Sequence, residues 1–376
     1  MFKILFKVFL SFLFVLAFDA HSSDLPEPDA FNQIVGVQAF DAAYKFTDDN
    51  VVLEQAKRIH EMGARMIKTK VVNFEDDTNF HEILDMGFDT FFFWWRSDSA
   101  SWANGFISLE DPKYKETDEY KETFKFACYL LERNRNAPCK FFIGHWEGDW
   151  YLLDNYDTSK NPDPKRIEGM INWLNVRQKA VEDARRFVGE WTRSEVYHYT
   201  EVNLVRDAML HGKDRLVNKV LPLSYVDFVS YSSYDVQEES PETIMETVNY
   251  IEQQLRPRNE IKGRRVFIGE FGVPYNGEKI RKTAEMDQIS LEAAHKKVNC
   301  DILVRFLGSG VPFIFYWQMY NNEIGADGRQ NGFWLINDKG EKQALYFALE
   351  QLYRHQASVK VVKNVRDETI RKLQSQ

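Results

Sequence analysis

The chain has 376 residues, 44% of them hydrophobic and 28% charged, enough to bury a large core and a length that one barrel-type domain can reach. Its 48 Lys and Arg stand against 57 Asp and Glu, a net charge of −9 at pH 7, which argues against nucleic acid or an acidic membrane surface as partner. Three cysteines, Cys128, Cys139 and Cys300, are too few for a disulfide scaffold and lack metal-ligand spacing. Cys128 and Cys139 either pair in an oxidising compartment or stay as buried thiols.

Residues 1–22 read as a secretory signal peptide, with Lys3 and Lys7 ahead of and inside an apolar run that continues through Leu16. Cleavage is expected after Ala17 or Ser22, or the run is kept as an anchor. The first reading places the mature protein in the periplasm or outside the cell, with no membrane contact once the signal is removed. A single domain over 23–356 follows, then a polar tail over 357–376.

Within the domain, strand-like runs at 34–40, 65–71, 89–96, 140–147, 195–202, 226–231, 265–269 and 312–317 alternate with helix-like runs at 49–62, 80–86, 119–134, 164–187, 214–221, 241–255, 283–309 and 342–353. Parallel strands need crossover connections, so eight such pairs point to an α/β fold, a closed (β/α)8 TIM barrel. A doubly wound open sheet is the alternative, and no Gly-rich turn follows the first strand to support it. Active groups of such barrels sit at the C-terminal ends of the strands. The long connections at 97–118, 148–163, 273–282 and 320–337 fall on that side.

Two carboxylates stand at these ends. Glu270 closes the apolar run that begins at Arg265 and is bracketed by Gly269 and Gly272, while Glu147 ends another such run between Trp146 and Trp150. A buried charge costs several kcal/mol unless it is paired or used, and paired carboxylates are what glycosidic cleavage requires. The structural readings are a Glu270 that pairs with Arg65 or Lys68, and a Glu147 displaced in its role by Asp149. Glu201, Asn203 and His198 at the fifth strand are candidates for substrate binding. Trp94 and Trp95 end the third strand facing opposite ways, so at most one reaches a cleft; Trp95 is taken as the stacking candidate. Gln38, Lys68 and Lys70 are candidates for hydroxyl contacts or for ion pairs at the edge of the core. Asp149, Asp154 and Asp157 lack the glycine and terminal glutamate of the common calcium loop, so no metal is expected.

Residues 268–272, Ile-Gly-Glu-Phe-Gly, resemble the seventh-strand motif of the retaining glycoside hydrolases of clan A, the (β/α)8 superfamily of cellulases, mannanases and β-glycosidases. The resemblance implies that Glu270 is the nucleophile and Glu147, ending strand four, the acid/base. It also implies that Tyr234 orients the nucleophile and that Trp317 forms the floor under the cleaved sugar. Trp146 stands where the clan usually has Asn, and Ser232 where it often has His. The expected activity is retaining hydrolysis of an O-glycosidic bond, with a β linkage expected, in a poly- or oligosaccharide, without cofactor. A catalytically silent glycan-binding barrel is the alternative, and Trp146 in place of Asn leans that way. A Schiff-base enzyme would need Lys68 or Lys70 as its amine.

Overall fold

The computed structural model describes residues 31–95, 102–154 and 156–358. The expected leader at 1–22, Arg96 and nearly all of the tail at 357–376 lie outside these residues.

Eight strands form the framework: β1 (Val35–Ala39), β2 (Met66–Val71), β3 (Thr90–Trp95), β4 (Lys140–Gly144), β5 (Glu195–Val202), β6 (Phe228–Ser232), β7 (Val266–Phe271) and β8 (Ile314–Tyr316). Each pairs in parallel with the next, and β8 closes on β1. The helices are α1 (Val51–Glu61), α2 (Thr78–Asp85), α3 (Asp118–Arg133), α4 (Gly148–Leu153), α5 (Pro164–Val188), α6 (Val205–His211), α7 (Pro241–Gln254), α8 (Glu278–Asp287), α9 (Leu291–Gly308) and α10 (Ala344–Ser358). Side chains of Asn50, Asp77, Thr117, Asp163, Ser240 and Ser290 accept from backbone N–H groups of first turns and so start six of them. Among the described residues no helix is long and apolar enough to cross a membrane. All three cysteines are free and buried.

Alternation divides the strand residues into two cores. Outward-facing Val37, Ile67, Phe93 and Ile143 meet the helices, whereas the barrel interior is filled by aromatic rings. Phe92 and Phe142 stack with centroids 4.2 Å apart. Phe267, Phe313 and Phe315 turn their edges to Phe92 at 5.0, 5.2 and 4.7 Å, an arrangement that the ring quadrupoles favour. Above this plug the inward positions become polar, with Gln38, Lys68, Glu201 and Ser230 all fully buried. The apolar plug closes the lower end of the barrel, so the polar groups gather at the strands' C-terminal ends.

One irregularity decides what that upper layer contains. Along β7, Ser230 pairs with Phe267 and Tyr231 with Ile268, but Ser232 pairs with Glu270. Against β8, the three steps from Ile268 to Phe271 match only two from Ile314 to Tyr316. Gly269 is thus an extra residue, a bulge. Both it and Glu270 face the interior, while Phe271 returns to the helix side against Phe306. Strict alternation from Phe267 would have sent Glu270 outward. A Cβ on Gly269 would lie 1.7 Å from Ser230 Oγ and 2.9 Å from Glu201 Oε2, so only glycine fits the bulge.

Three stretches differ from the sequence-based expectation. The helix expected at 283–309 is two helices, α8 and α9, with Gln288 at φ 54° between them and Ser290 capping the second. The helix expected at 214–221 is a π-helical turn at Leu216–Val220 that follows α6. The connection at 148–163 begins with α4, whose presence is explained by Asp149: its carboxylate accepts from Leu216 N at 2.7 Å, Asn203 N at 3.1 Å and Leu204 N at 3.3 Å. Asp149 thus ties three loops together from the first turn of α4, a structural role and not that of an acid catalyst.

Gln288 lies in the left-handed region, which costs a side chain-bearing residue about 1 kcal/mol or more relative to glycine. Gln288→Gly is expected to stabilise the fold by up to about 1 kcal/mol, read as a higher denaturation midpoint at unchanged m-value.

Candidate active site

The polar layer is organised around one ammonium. Lys68, on β2, is fully buried; its Nζ lies 2.6 Å from Glu201 Oε2 and 3.6 Å from Glu270 Oε1, and donates to Gly269 O at 3.0 Å. Trp94 lays its ring 5.0 Å from the same nitrogen. Glu201, also fully buried, accepts further from Ser230 Oγ at 2.5 Å and from the backbone N of Glu147 at 3.1 Å. It therefore holds the residue that carries the second carboxylate of the mouth. With all its bonds made inside the protein, Glu201 has no surface left for a substrate, contrary to the role expected for it.

Glu147 and Glu270 occupy the floor of the opening, 8% and 3% exposed. Trp150 Nε1 donates to Glu147 Oε2 at 2.5 Å. Ser232 Oγ lies 2.5 Å from Glu147 Oε1 and 3.4 Å from Glu270 Oε2. The two carboxylate oxygens, joined end to end through one hydroxyl, are therefore at most about 5.9 Å apart. Burial raises both carboxyls above the usual range, Glu147 to about 7. The nearby Glu201 charge adds to both, and the Lys68 charge pulls back more strongly on Glu270 than on Glu147. Two buried acids in such a setting share protons, and Lys68, 3.6 Å from Glu270 Oε1, is the charge that draws Glu270 back toward its ionised form.

Behind Glu147, His145 is buried between Thr200 Oγ1 at 2.6 Å and Trp146 O at 2.8 Å. Burial, and then the charge of Arg177, lowers its pKa to about 3, so the ring is neutral. It fixes the turn and takes no part in proton traffic near neutral pH. Arg177 itself donates to Trp95 O and Gly144 O at 3.1 and 3.2 Å, tying the ends of β3 and β4.

Beside the carboxylates opens a cleft of about 310 Å³ walled by Phe40, Trp94, Trp146 and Trp317, with Asp41 and Lys70 at its edge. Ring centroids of Phe40 and Trp94 are 4.0 Å apart, and those of Trp94 and Trp317 are 6.1 Å apart. Glu323, on the loop after β8, accepts from Trp317 Nε1 at 3.3 Å and from Asn331 Nδ2 at 3.2 Å, fixing the indole that lies at the foot of the cleft. Among the described residues no group of three or more His, Cys, Asp or Glu side chains is placed to hold a metal ion.

No protein-family model matches the sequence, and no curated protein matches it either. Solved structures do match in shape. A family 39 glycoside hydrolase from Bacteroides cellulosilyticus WH2 superposes with a TM-score of 0.54 at 12% identity, over 87% of this chain and 65% of that one. The likeness is one of fold, a closed eight-stranded parallel barrel surrounded by helices. A family 5 xyloglucanase from Paenibacillus pabuli, at TM-score 0.49 and 12% identity, covers 86% of this chain and 98% of its own. A family 2 β-galacturonidase from Eisenbergiella tayi, at 0.46 and 12%, covers 88% and 52%. The chain spans less than two thirds of the family 39 enzyme and about half of the family 2 enzyme.

Set on this barrel, the residues singled out in the sequence fall into two groups. Glu147, Glu270, Trp146 and Trp317 converge on the opening. Trp95 does not: it points outward, stacking on Phe126 of α3 at 4.5 Å and donating from its indole N–H to Thr123 Oγ1 at 3.3 Å. Its neighbour Trp94 has the inward place. Asn203 is buried against Asp149 and Trp150, where its amide supports the α4 turn. Tyr234 stands at the rim, 39% exposed and with its ring edge-on to Phe333, and its phenol is within electrostatic reach of Glu270 and Glu147. The hydroxyl that reaches both carboxylates is that of Ser232. Gln38 donates from Nε2 to Gly269 O at 3.1 Å, a backbone contact that steadies the bulge. Glu323 and the bridging role of Ser232 were missed from sequence. The aromatic run into Trp317 followed by Glu323 was a signal for the former; for the latter, the sequence marked Ser232 only as the residue at a position where the resembled clan often has His.

Lys68→Met is expected to destabilise the protein by about 3–5 kcal/mol near pH 7, since it leaves buried carboxylates without their cation. The loss should shrink as pH falls and those carboxylates are protonated, a trend denaturant titrations at pH 4 and pH 8 would measure. Glu147→Gln is expected to act in the opposite sense. A carboxyl with a raised folded-state pKa costs stability as pH rises from its unfolded value toward about 7. The glutamine variant should therefore match the parent at pH 4 and exceed it by about 1–3 kcal/mol at pH 8.

Proposed function

We propose that this protein is a retaining glycoside hydrolase acting on a β-linked poly- or oligosaccharide. One observation carries the reading: one oxygen of Glu147 and one of Glu270 are joined through the single hydroxyl of Ser232, at most about 5.9 Å apart, next in the chain to Trp146, which walls an aromatic cleft with Trp94 and Trp317. Retaining enzymes hold their carboxyl groups about 5–5.5 Å apart, whereas inverting ones need about 6.5–9.5 Å to admit a water. A single hydroxyl that reaches an oxygen of each carboxyl favours the closer spacing.

In this mechanism Glu270, kept anionic by Lys68, attacks the anomeric carbon. The bond from that carbon to the leaving oxygen breaks as Glu147 delivers its proton to that oxygen, giving a glycosyl ester on Glu270. Glu147, now a carboxylate, takes a proton from water while the water oxygen attacks the same carbon and releases Glu270. A raised pKa suits Glu147 to both halves of the cycle, first as acid and then as base. Trp317 and Trp94 supply flat faces for sugar rings, and Trp146 adds a third where an amide would otherwise meet a sugar hydroxyl. The apolar N-terminal run supports export, so we place the reaction in the periplasm or outside the cell.

A screen against aryl β-glycosides and a polysaccharide panel tests the reading. Glu270→Ala is expected to lower turnover by on the order of 10⁴-fold or more, with azide restoring product as a glycosyl azide of inverted anomeric configuration. Glu147→Ala is expected to cost about 10²–10⁴-fold on poor leaving groups and less on activated aryl ones. No turnover on any substrate, together with glycan binding unchanged in both variants, would instead favour the silent glycan-binding barrel.

A further inference from the structure

Ser232 is the last residue of β6 and is fully buried. The register shift that turns Glu270 inward also places that residue opposite Ser232, and Ser233 locks the pairing by donating from both its backbone N and its Oγ to Glu270 O, at 3.0 and 2.8 Å. The Ser232 hydroxyl is therefore held between the two carboxylates and has little freedom to serve anything else. It carries one proton: it can donate to one carboxylate while accepting from the other, but cannot donate to both.

We propose that Ser232 is a positioning residue that couples the protonation of Glu147 to the charge on Glu270. While Glu270 is anionic, Glu147 donates its proton to Ser232 Oγ, and the hydroxyl proton of Ser232 points to Glu270 Oε2. Once Glu270 is esterified and neutral, the same hydroxyl turns to donate to Glu147, now a carboxylate. The resting arrangement favours an acid at Glu147 and the second a base, so one rotation about the Ser232 side chain matches the alternation that a double displacement needs. Other charged and titratable groups surround the pair: Lys68 from β2, Glu201 from β5, Tyr234 beyond β6 and Glu323 beyond β8. It is Ser232 whose hydroxyl lies within hydrogen-bond distance of both carboxylates. Ser230, two residues earlier on the same face, donates to Glu201 below and is not part of this link.

The mechanistic meaning of this coupling rests on the hydrolase reading, but its existence is tested without turnover. In full-length protein carrying carbon-13 at the glutamate carboxyls, with signals assigned through Glu147→Gln and Glu270→Gln, the titration midpoint of Glu147 is read in the presence of Glu270 and in the Glu270→Gln background. Neutralising Glu270 is expected to lower the Glu147 midpoint. In Ser232→Ala, and in the nearly isosteric Ser232→Cys should the alanine variant fail to fold, that lowering is expected to shrink by about one pH unit; Ser232→Thr should preserve it. In an active enzyme the same change should move the acid limb of the pH–rate profile upward, because Glu270 loses a donor. An equal coupling with and without the hydroxyl would overturn the proposal even if the protein hydrolyses glycosides. Coupling that depends on Ser232 in a protein that hydrolyses none would leave the link standing and overturn the hydrolase reading.

Discussion

The site depends on one buried ammonium. Three carboxylates, Glu147, Glu201 and Glu270, share the mouth of the barrel with little access to water, and Lys68 is the cation that the structure sets among them. Charges so placed would cost several kcal/mol each without a partner. Lys68 offsets part of that cost and does so unevenly. It pairs tightly with Glu201, which becomes a fixed anchor, and less closely with Glu270, which keeps an oxygen free of hydrogen bonds. The incomplete satisfaction of Glu270 is what a nucleophile requires, since its charge is stabilised without being consumed.

Backbone geometry delivers these groups. The Gly269 bulge inserts one residue into β7, and Glu270 faces inward because of it. Glycine on one side and a small serine on the next strand leave room for Glu201 to reach across to Lys68. On the opposite wall, Gly144 admits the ring of Tyr199, which a Cβ would approach to 2.3 Å. The aromatic plug below and the tryptophans above leave a thin polar layer between two apolar ones, where electrostatic interactions are strong.

Much of this was legible in the sequence. Eight alternating pairs predicted the barrel, and the bracketed Glu270 and the tryptophan-flanked Glu147 marked its mouth. The face of each residue was not legible wherever it depended on register. Trp94 and Trp95 are chemically alike, and only the pairing of β3 with β2 and β4 sends the first inward. The bulge is similarly hidden, because an extra glycine in a strand looks like any other. Lys68 was visible as a polar residue in an apolar strand, with an ion pair among its readings; its partners lie 133 and 202 positions away in the chain, a distance that local patterning does not span. The break between α8 and α9 was missed because Gln288 adopts a conformation normally signalled by glycine, although Ser290 followed by Leu-Glu was a usable start signal.

The central claim is that Glu270 is the ionised partner and attacks carbon. The most direct test incubates the protein with a panel of 2,4-dinitrophenyl 2-deoxy-2-fluoro-β-glycosides and maps the trapped adduct by peptide mass spectrometry. The account predicts a single fluoroglycosyl ester on Glu270, formed with release of one equivalent of dinitrophenol and slowed in Lys68→Met. An ester on Glu147 or Glu201, or hydrolysis of the parent glycosides with inversion and no adduct, would contradict it.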